Sequence, residues 1–230
     1  MKISPRVKRI VRNTPIVGAA FARLEERRAR FRSTSDYWDR RYKVGGNSGP
    51  GSYNRLAEFK AQFLNRFVEE HQVTSVIEYG CGDGAQLSLA RYPNYTGVDI
   101  SPTAVEMCRV RFAGDTSKRF LRSDAITQSP LGDLVLSLDV VFHLVEDVVF
   151  EAYMRRLFES AHRFVIIYSS NTDQEWTGQH VRHRMFTRWV EENEPDWYLH
   201  STHKNSFPYD PADPEQTSFS DFYVFAKLLQ

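Results

Sequence analysis

Apolar residues recur along this chain in two rhythms. Over residues 53–71, Leu56, Phe59, Phe63, Leu64, Phe67 and Val68 return at three- and four-residue intervals, which predicts a helix with one buried face. Short apolar runs at 76–79, 95–100, 134–138 and 164–168 are rich in β-branched residues and predict buried strands. A weaker run at 118–122 predicts a short strand. Ser101-Pro102-Thr103 caps a helix running to Phe112, because proline's missing donor costs nothing in a first helical turn. Residues 147–162 read as a helix, and residues 185–190 as a shorter one with Trp189 turned inward. Apolar alternation at 197–203 and 219–228, around the proline-rich 207–211, predicts a terminal hairpin. Strands alternating with helices predict an α/β sheet.

The strand at 76–79 breaks into Gly80-Cys81-Gly82-Asp83-Gly84, with three glycines at alternate positions. Such a loop lets a ligand approach the backbone closely. The following residues, 85–90, have helical character, so the loop is expected to open a helix, the first unit of a nucleotide-binding sheet. A second acid, Asp99, ends the next strand, 21 residues after Glu78 (99 − 78). A carboxylate at about that offset grips the two hydroxyls of a ribose. Read as Gly80-x-Gly82-x-x-Ala85, the loop passes a loose dinucleotide fingerprint, so a nicotinamide enzyme is one alternative.

Read as Glu78-x-Gly80-x-Gly82-x-Gly84, the loop resembles the first motif of the Rossmann-like S-adenosylmethionine (SAM) methyltransferases. Ser123-Asp124-Ala125 and the strand leading to Asp139-Val140 follow in the expected order. The resemblance spans residues 36–230 and implies a doubly wound seven-stranded sheet, mostly parallel with an antiparallel last strand and helices on both faces. It also implies SAM as cofactor and S-adenosylhomocysteine (SAH) as product. By the same likeness, Glu78 and the backbone of Gly80, Cys81 and Gly82 hold the methionine portion, Asp99 beside Ile100 holds the ribose, and Asp124 and the Ala125 backbone read the adenine. Tyr42 and Leu138 complete the expected cofactor site. Tyr37-Trp38-x-x-Arg41-Tyr42, followed by a Gly-Gly-Asn-Ser-Gly-x-Gly-Ser run at 45–52, is similar to the N-terminal region of bacterial methyltransferases linked to polysaccharide biosynthesis. That likeness points to a saccharide acceptor.

Ligands on open α/β sheets bind outside the carboxyl ends of the strands, so Asp139 and His143 are expected at the site. An acceptor hydroxyl must lose a proton, and histidine titrates near working pH, which makes His143 the candidate base. Asp139, four residues earlier, would orient it if the stretch turns helically. Packing in the domain interior is the competing role for His143. Nothing here resembles the Asn/Asp-Pro-Pro-Tyr signature of amino-directed methyltransferases, which favours oxygen as acceptor. Farther on, His180, His183 and Arg184 form a polar cluster suited to acceptor binding, with the histidine spacing that suits one helix face. A Mg²⁺ ion held partly by substrate is a weaker alternative, since no further acids lie nearby.

Composition narrows the partners. Net charge is +1 with 26% charged residues, which gives no global basic excess for a nucleic-acid partner. Cys81 and Cys108 offer no disulfide framework, so a reducing cytoplasm is expected, and no apolar run is long enough to span a membrane. Residues 1–35 are different, being rich in arginine and lysine with interleaved Ile10, Val11, Ile16, Val17, Phe21 and Leu24. This arm fits contact with an anionic membrane surface, or packing on its own domain or on a second copy in a homodimer. Its Arg12-Asn13-Thr14-Pro15 interruption argues against a signal peptide. Residues 36–52 combine aromatics, arginines and glycines and are expected to act as a lid over the ligand. A non-catalytic SAM-fold protein docked on a membrane assembly, or a methyltransferase for another small metabolite, would share most of these features.

Overall fold

The computed structural model describes residues 33–176 and 178–228, and the basic arm expected at 1–35 lies almost wholly outside them. Helix α1 (Thr34–Lys43) leads through a 3-10 turn at Pro50–Ser52 into α2 (Asn54–Glu70) and β1 (Val76–Tyr79). A 3-10 turn at Gln86–Leu89, β2 (Tyr95–Asp99), α3 (Pro102–Arg111) and β3 (Lys118–Arg122) follow. Then come β4 (Gly132–Leu138), α4 (Asp147–Glu159), β5 (Ala161–Ser169), α5 (Phe186–Asn193), β6 (Trp197–His203) and β7 (Asp221–Lys227).

The seven strands form one sheet in the order β3-β2-β1-β4-β5-β7-β6. Strands β1 to β5 pair in parallel, while β7 lies antiparallel to both β5 and β6. The terminal hairpin therefore inserts its second strand into the sheet and leaves its first at the edge. The expected Rossmann-like fold is the fold observed.

Strand geometry sends alternate side chains to opposite faces, and each face has its own core. Leu134, Leu136, Ile166 and Tyr168 pack with Phe63, Leu64 and Phe67 of α2 and with Val105 and Cys108 of α3. Val135, Val165 and Ile167 pack with Phe150, Met154, Leu157 and Phe158 of α4 and with Phe186 and Val190 of α5. Both faces of the central strands are dry, which explains why these strands read as apolar runs instead of alternating ones.

Ser33 caps α1, its hydroxyl accepting from the Asp36 amide. Two local expectations change. The glycine loop opens only one 3-10 turn, because Pro93 and the return to β2 at Tyr95 leave no room for a longer helix. Residues 180–184 form no helix, so the three-residue spacing of His180 and His183 does not put them on one helix face.

Candidate active site

A cavity of about 430 Å³ opens at the carboxyl ends of β1, β2 and β4. Tyr42, Glu78, Gly80, Cys81, Gly82, Asp99, Ile100 and Leu138 all line it, together with Asp139 and His143. Residues scattered over a hundred positions converge here because a parallel sheet brings its strand ends to one edge.

The glycine loop shapes the floor. Gly80 and Gly82 have φ of +84° and +57°, the left-handed region that glycine enters without strain. A Cβ on Gly80 would collide with Val140, and one on Gly82 with Ser48. Asp99 supports the loop from below, its Oδ2 accepting from the Gly82 amide at 2.9 Å and its Oδ1 from the Ser101 amide at 2.8 Å. Burial pushes its carboxyl up, and those backbone donors partly offset the rise. Glu78 is fully enclosed and accepts the Tyr95 hydroxyl at 2.6 Å. Burial raises Glu78 to about 7, against the opposing pull of the Tyr95 bond and the Lys60 charge.

The segment before α2 is bound to this loop through Asp83. The Ser48 amide donates to Asp83 Oδ2 at 3.0 Å, the Asp83 amide donates to Ser48 Oγ at 3.0 Å, and the Tyr53 hydroxyl donates to Asp83 Oδ2 at 2.6 Å. Tyr42 and Ser48 share a hydroxyl–hydroxyl bond of 3.0 Å. Helix α1 is held at its start and its middle: Thr34 donates to Glu146 and to the His143 carbonyl, while Ser101 and Thr103 donate to Asp39.

His143 sits on a 3-10 turn after β4, with Trp38 edge-on at 4.9 Å and Phe142 at 4.4 Å. Its Nδ1 lies 2.9 Å from the His180 carbonyl. A carbonyl only accepts, so Nδ1 carries the proton and Nε2 is left with its lone pair. Burial lowers His143 to about 4; the His180 carbonyl and Asp139 pull the other way, while the His180 ring and Arg41 add to the fall. The imidazole is neutral at physiological pH.

Several expected site residues stand elsewhere. Asp139 does not orient His143: its backbone turns left-handed (φ +57°), and its carboxylate receives Lys60 Nζ at 2.6 Å and the Ser220 hydroxyl at 2.9 Å. Asp124 is exposed and paired with Arg122; the cavity reaches Ser123, while Asp124 and Ala125 lie outside its lining. Arg184 wraps the chain after His143, donating to the Leu144 and Val145 carbonyls and to Asp147. His183 is buried, 2.6 Å from Ser170 Oγ, and lies away from the cavity lining. Among the described residues no cluster of three His, Cys, Asp or Glu could hold a metal ion.

Trp38, from the segment expected as a lid, lines the cavity, and Lys60 and Gln86 line it without having been expected there. Lys60 has a signal, since it is a cation on the apolar face of α2 between Ala57 and Phe63. Gln86 sits inside the segment expected to be plain helix, and nothing local marks it. Its Nε2 donates to the Ala57 carbonyl at 3.0 Å, whereas its buried Oε1 has no partner. That unfilled acceptor, the enclosed Lys60 ammonium and the Cβ-free cradle at Gly80 fit an adenosyl amino acid.

Known proteins resemble this chain in sequence and in fold. Residues 76–165 match the family model described as a methyltransferase domain. The mouse EEF1A lysine methyltransferase 4 is 29% identical over 211 residues, spanning 81% of this chain and 76% of the relative. The magnesium protoporphyrin IX methyltransferase of Synechocystis PCC 6803 with bound SAM superposes with a TM-score of 0.61 at 17% identity, over 86% of this chain and 99% of that one. The N-methyltransferase NodS of Bradyrhizobium japonicum WM9 with SAH gives 0.60 at 15% identity, over 85% and 99%. The fold is that of the Rossmann-like, class I methyltransferases. The matched stretch holds the glycine loop, Asp99, Asp139 and His143, and these likenesses support SAM-dependent methyl transfer as the activity.

Proposed function

We propose that this enzyme methylates an oxygen of a small polar acceptor, a hydroxyl of a sugar or oligosaccharide precursor, with His143 as general base. The bond from His143 Nδ1–H to the His180 carbonyl carries the reading, because it leaves Nε2 as a lone-pair acceptor in the same cavity as the glycine loop. SAM supplies a methyl group already activated on a sulfonium. The protein's share is to position the hydroxyl and take its proton as the new bond forms. Burial makes His143 a weaker base than a free imidazole, so it takes the proton only as the methyl bond forms, when the hydroxyl becomes strongly acidic.

Glu78 and the glycine backbone are assigned to the methionine portion, Asp99 and Ile100 to the ribose. Ser123 takes the place at the adenine edge that Asp124 leaves. Trp38 supports a saccharide acceptor, since an aromatic face suits the C–H surface of a sugar ring. The likeness of residues 37–52 to polysaccharide-linked enzymes points the same way. Cytoplasmic location, the absence of a nucleic-acid partner, and membrane or dimer contact through the basic arm rest on the sequence alone. Among the described residues no helix is long and apolar enough to cross a membrane.

A protein lysine is the second reading, favoured by the mouse relative's activity. Isotope-labelled SAM offered with nucleotide sugars and oligosaccharides, and separately with lysine-bearing proteins, separates the two. Label on a saccharide oxygen supports the proposal; label on a lysine amine alone overturns it. In the saccharide assay His143→Ala should lower turnover by about 10²–10⁴-fold with SAH affinity kept. Near-normal turnover would make His143 a packing residue.

A further inference from the structure

Three rings from three separate segments stand in one column beside the cavity. Tyr37 of α1 stacks on His180 with centroids 4.6 Å apart and planes 12° from parallel. His180, from the irregular segment between β5 and α5, lies 5.6 Å from His143 at 14°. The same His180 supplies the carbonyl that takes the His143 Nδ1 proton. Residue 180 thus contacts His143 through both its ring and its backbone, and Tyr37 covers the far side of that ring.

The segment carrying His180 has little regular structure of its own. Among the described residues its backbone–backbone ties include Arg182 N to the Phe142 carbonyl at 2.7 Å and Val181 N to the Gly178 carbonyl at 3.0 Å, while the Arg182 and Arg184 side chains hold the residues after His180 to Leu144, Val145 and Asp147. A carbonyl in such a segment keeps its aim only if something fixes the residue that bears it. Aromatic stacking contributes about 0.5–1.5 kcal/mol beyond area burial, enough to bias a loop between nearby conformations by several-fold. Helix α1, the source of Tyr37, is anchored independently through Thr34 to the His143 carbonyl and Glu146, and through Asp39 to Ser101 and Thr103.

We infer that Tyr37 and His180 are positioning residues for the base: the Tyr37 ring fixes His180, and the His180 carbonyl fixes the Nδ1–H tautomer of His143. The inference rests on His143 being the base. It also gives α1 a role beyond covering the site, since the base holds its catalytic tautomer only while α1 is docked. The contact requires the ring of Tyr37 and not its hydroxyl.

The test needs no acceptor. Imidazole ¹⁵N spectra of the full chain saturated with SAH report which ring nitrogen of each histidine is protonated, and a His143→Gln variant assigns the His143 signals. The groups that shape the His143 titration are His180 from the β5–α5 segment, Arg41 from α1 and Asp139 from the end of β4, so spectra are taken across pH to separate tautomer from charge. Wild type should show Nδ1–H alone. Tyr37→Ala should show a mixture of both tautomers, with SAH affinity within about twofold of wild type, and Tyr37→Phe should restore the single tautomer. If wild type has Nδ1–H and Tyr37→Ala keeps it, the column does not position the base and the inference fails while the base reading stands. If wild type itself carries the proton on Nε2, the base reading fails first.

Discussion

Ser48 and Asp83 form a reciprocal pair, each backbone amide donating to the other's side chain at 3.0 Å. The segment expected to serve as a lid is therefore bonded to the glycine loop itself, and Asp83 is the acid within that loop whose function its motif does not disclose. Burial alone would raise Asp83, but the bonds from Tyr53, the Ala85 amide and Ser48 hold it below the usual carboxylate range. It is an anion accepting from several donors at once.

We predict that Asp83→Ala frees the 45–52 segment and lowers SAH affinity by about tenfold or more, or about 1.4 kcal/mol, with the fold retained. Asp83→Asn, which keeps one acceptor oxygen, should fall between. Calorimetric titration with SAH measures both; unchanged affinity in Asp83→Ala would show that the segment plays no part in binding.

Asp99 does two jobs that one substitution cannot separate, since it braces Gly82 and Ser101 and also faces the cavity. Asp99→Ala should abolish measurable SAH binding. Asp99→Asn, with one remaining acceptor, should retain the fold and bind about 10–100-fold more weakly. Equal affinity in both variants and wild type would remove the ribose assignment.

Two buried groups give opposite pH signatures. Glu78, raised to about 7, keeps a proton that the unfolded chain releases near 4.5. Its favourable contribution is complete below pH 4.5 and is lost as pH rises through 7. His143, lowered to about 4 from 6.5, contributes fully above pH 6.5 and loses that contribution as pH falls through 4. Thermal unfolding from pH 4 to 8 should therefore show Glu78→Gln gaining on wild type toward pH 8, and His143→Gln gaining toward pH 4. Each gain is of order 1–3 kcal/mol, a shift of several degrees. Parallel curves for variant and wild type would place the titration elsewhere.

Lys60 is almost wholly enclosed and its ammonium meets Asp139 at 2.6 Å. Removing one member of such a pair strands the other, at a cost of about 3–5 kcal/mol. Lys60→Met should lose stability on that scale, and Lys60→Met with Asp139→Asn should recover most of it. A double variant no more stable in urea than Lys60→Met would show that the loss comes from packing and not from the stranded charge.

Arg184 donates to two carbonyls and to Asp147 from a side chain only 11% exposed. Its loss should cost about 1.5–3 kcal/mol of stability while leaving SAH affinity intact. A fall in SAH affinity with no change in denaturant midpoint would return Arg184 to the binding site.

Local signals carried much of the site. Gly80, Gly82, Glu78, Cys81 and Asp99 are legible because strand, loop and strand-end acid lie within 22 consecutive residues, and the chain cannot fold them far apart. His143 is legible from its distance past the end of β4. Asp124 misleads because Arg122, two residues away, captures its carboxylate at the surface. Arg184 and His183 mislead because a run of histidines and arginines looks the same whether it faces a ligand or ties down its own chain.

By itself, the sequence determined the order of the strands along the chain, the two buried faces of the sheet, the glycine cradle and the acids that flank it. Each of these follows from periodicity or from residues close in sequence. Only the tertiary structure decided which partner each polar side chain takes. Asp139 belongs to Lys60 and Ser220, 79 and 81 residues away, His143 to a carbonyl 37 residues on, and Asp83 to Ser48, 35 residues back. A hydrogen bond is fixed by position and direction in space, and no one-dimensional pattern encodes contacts closed across so long a loop.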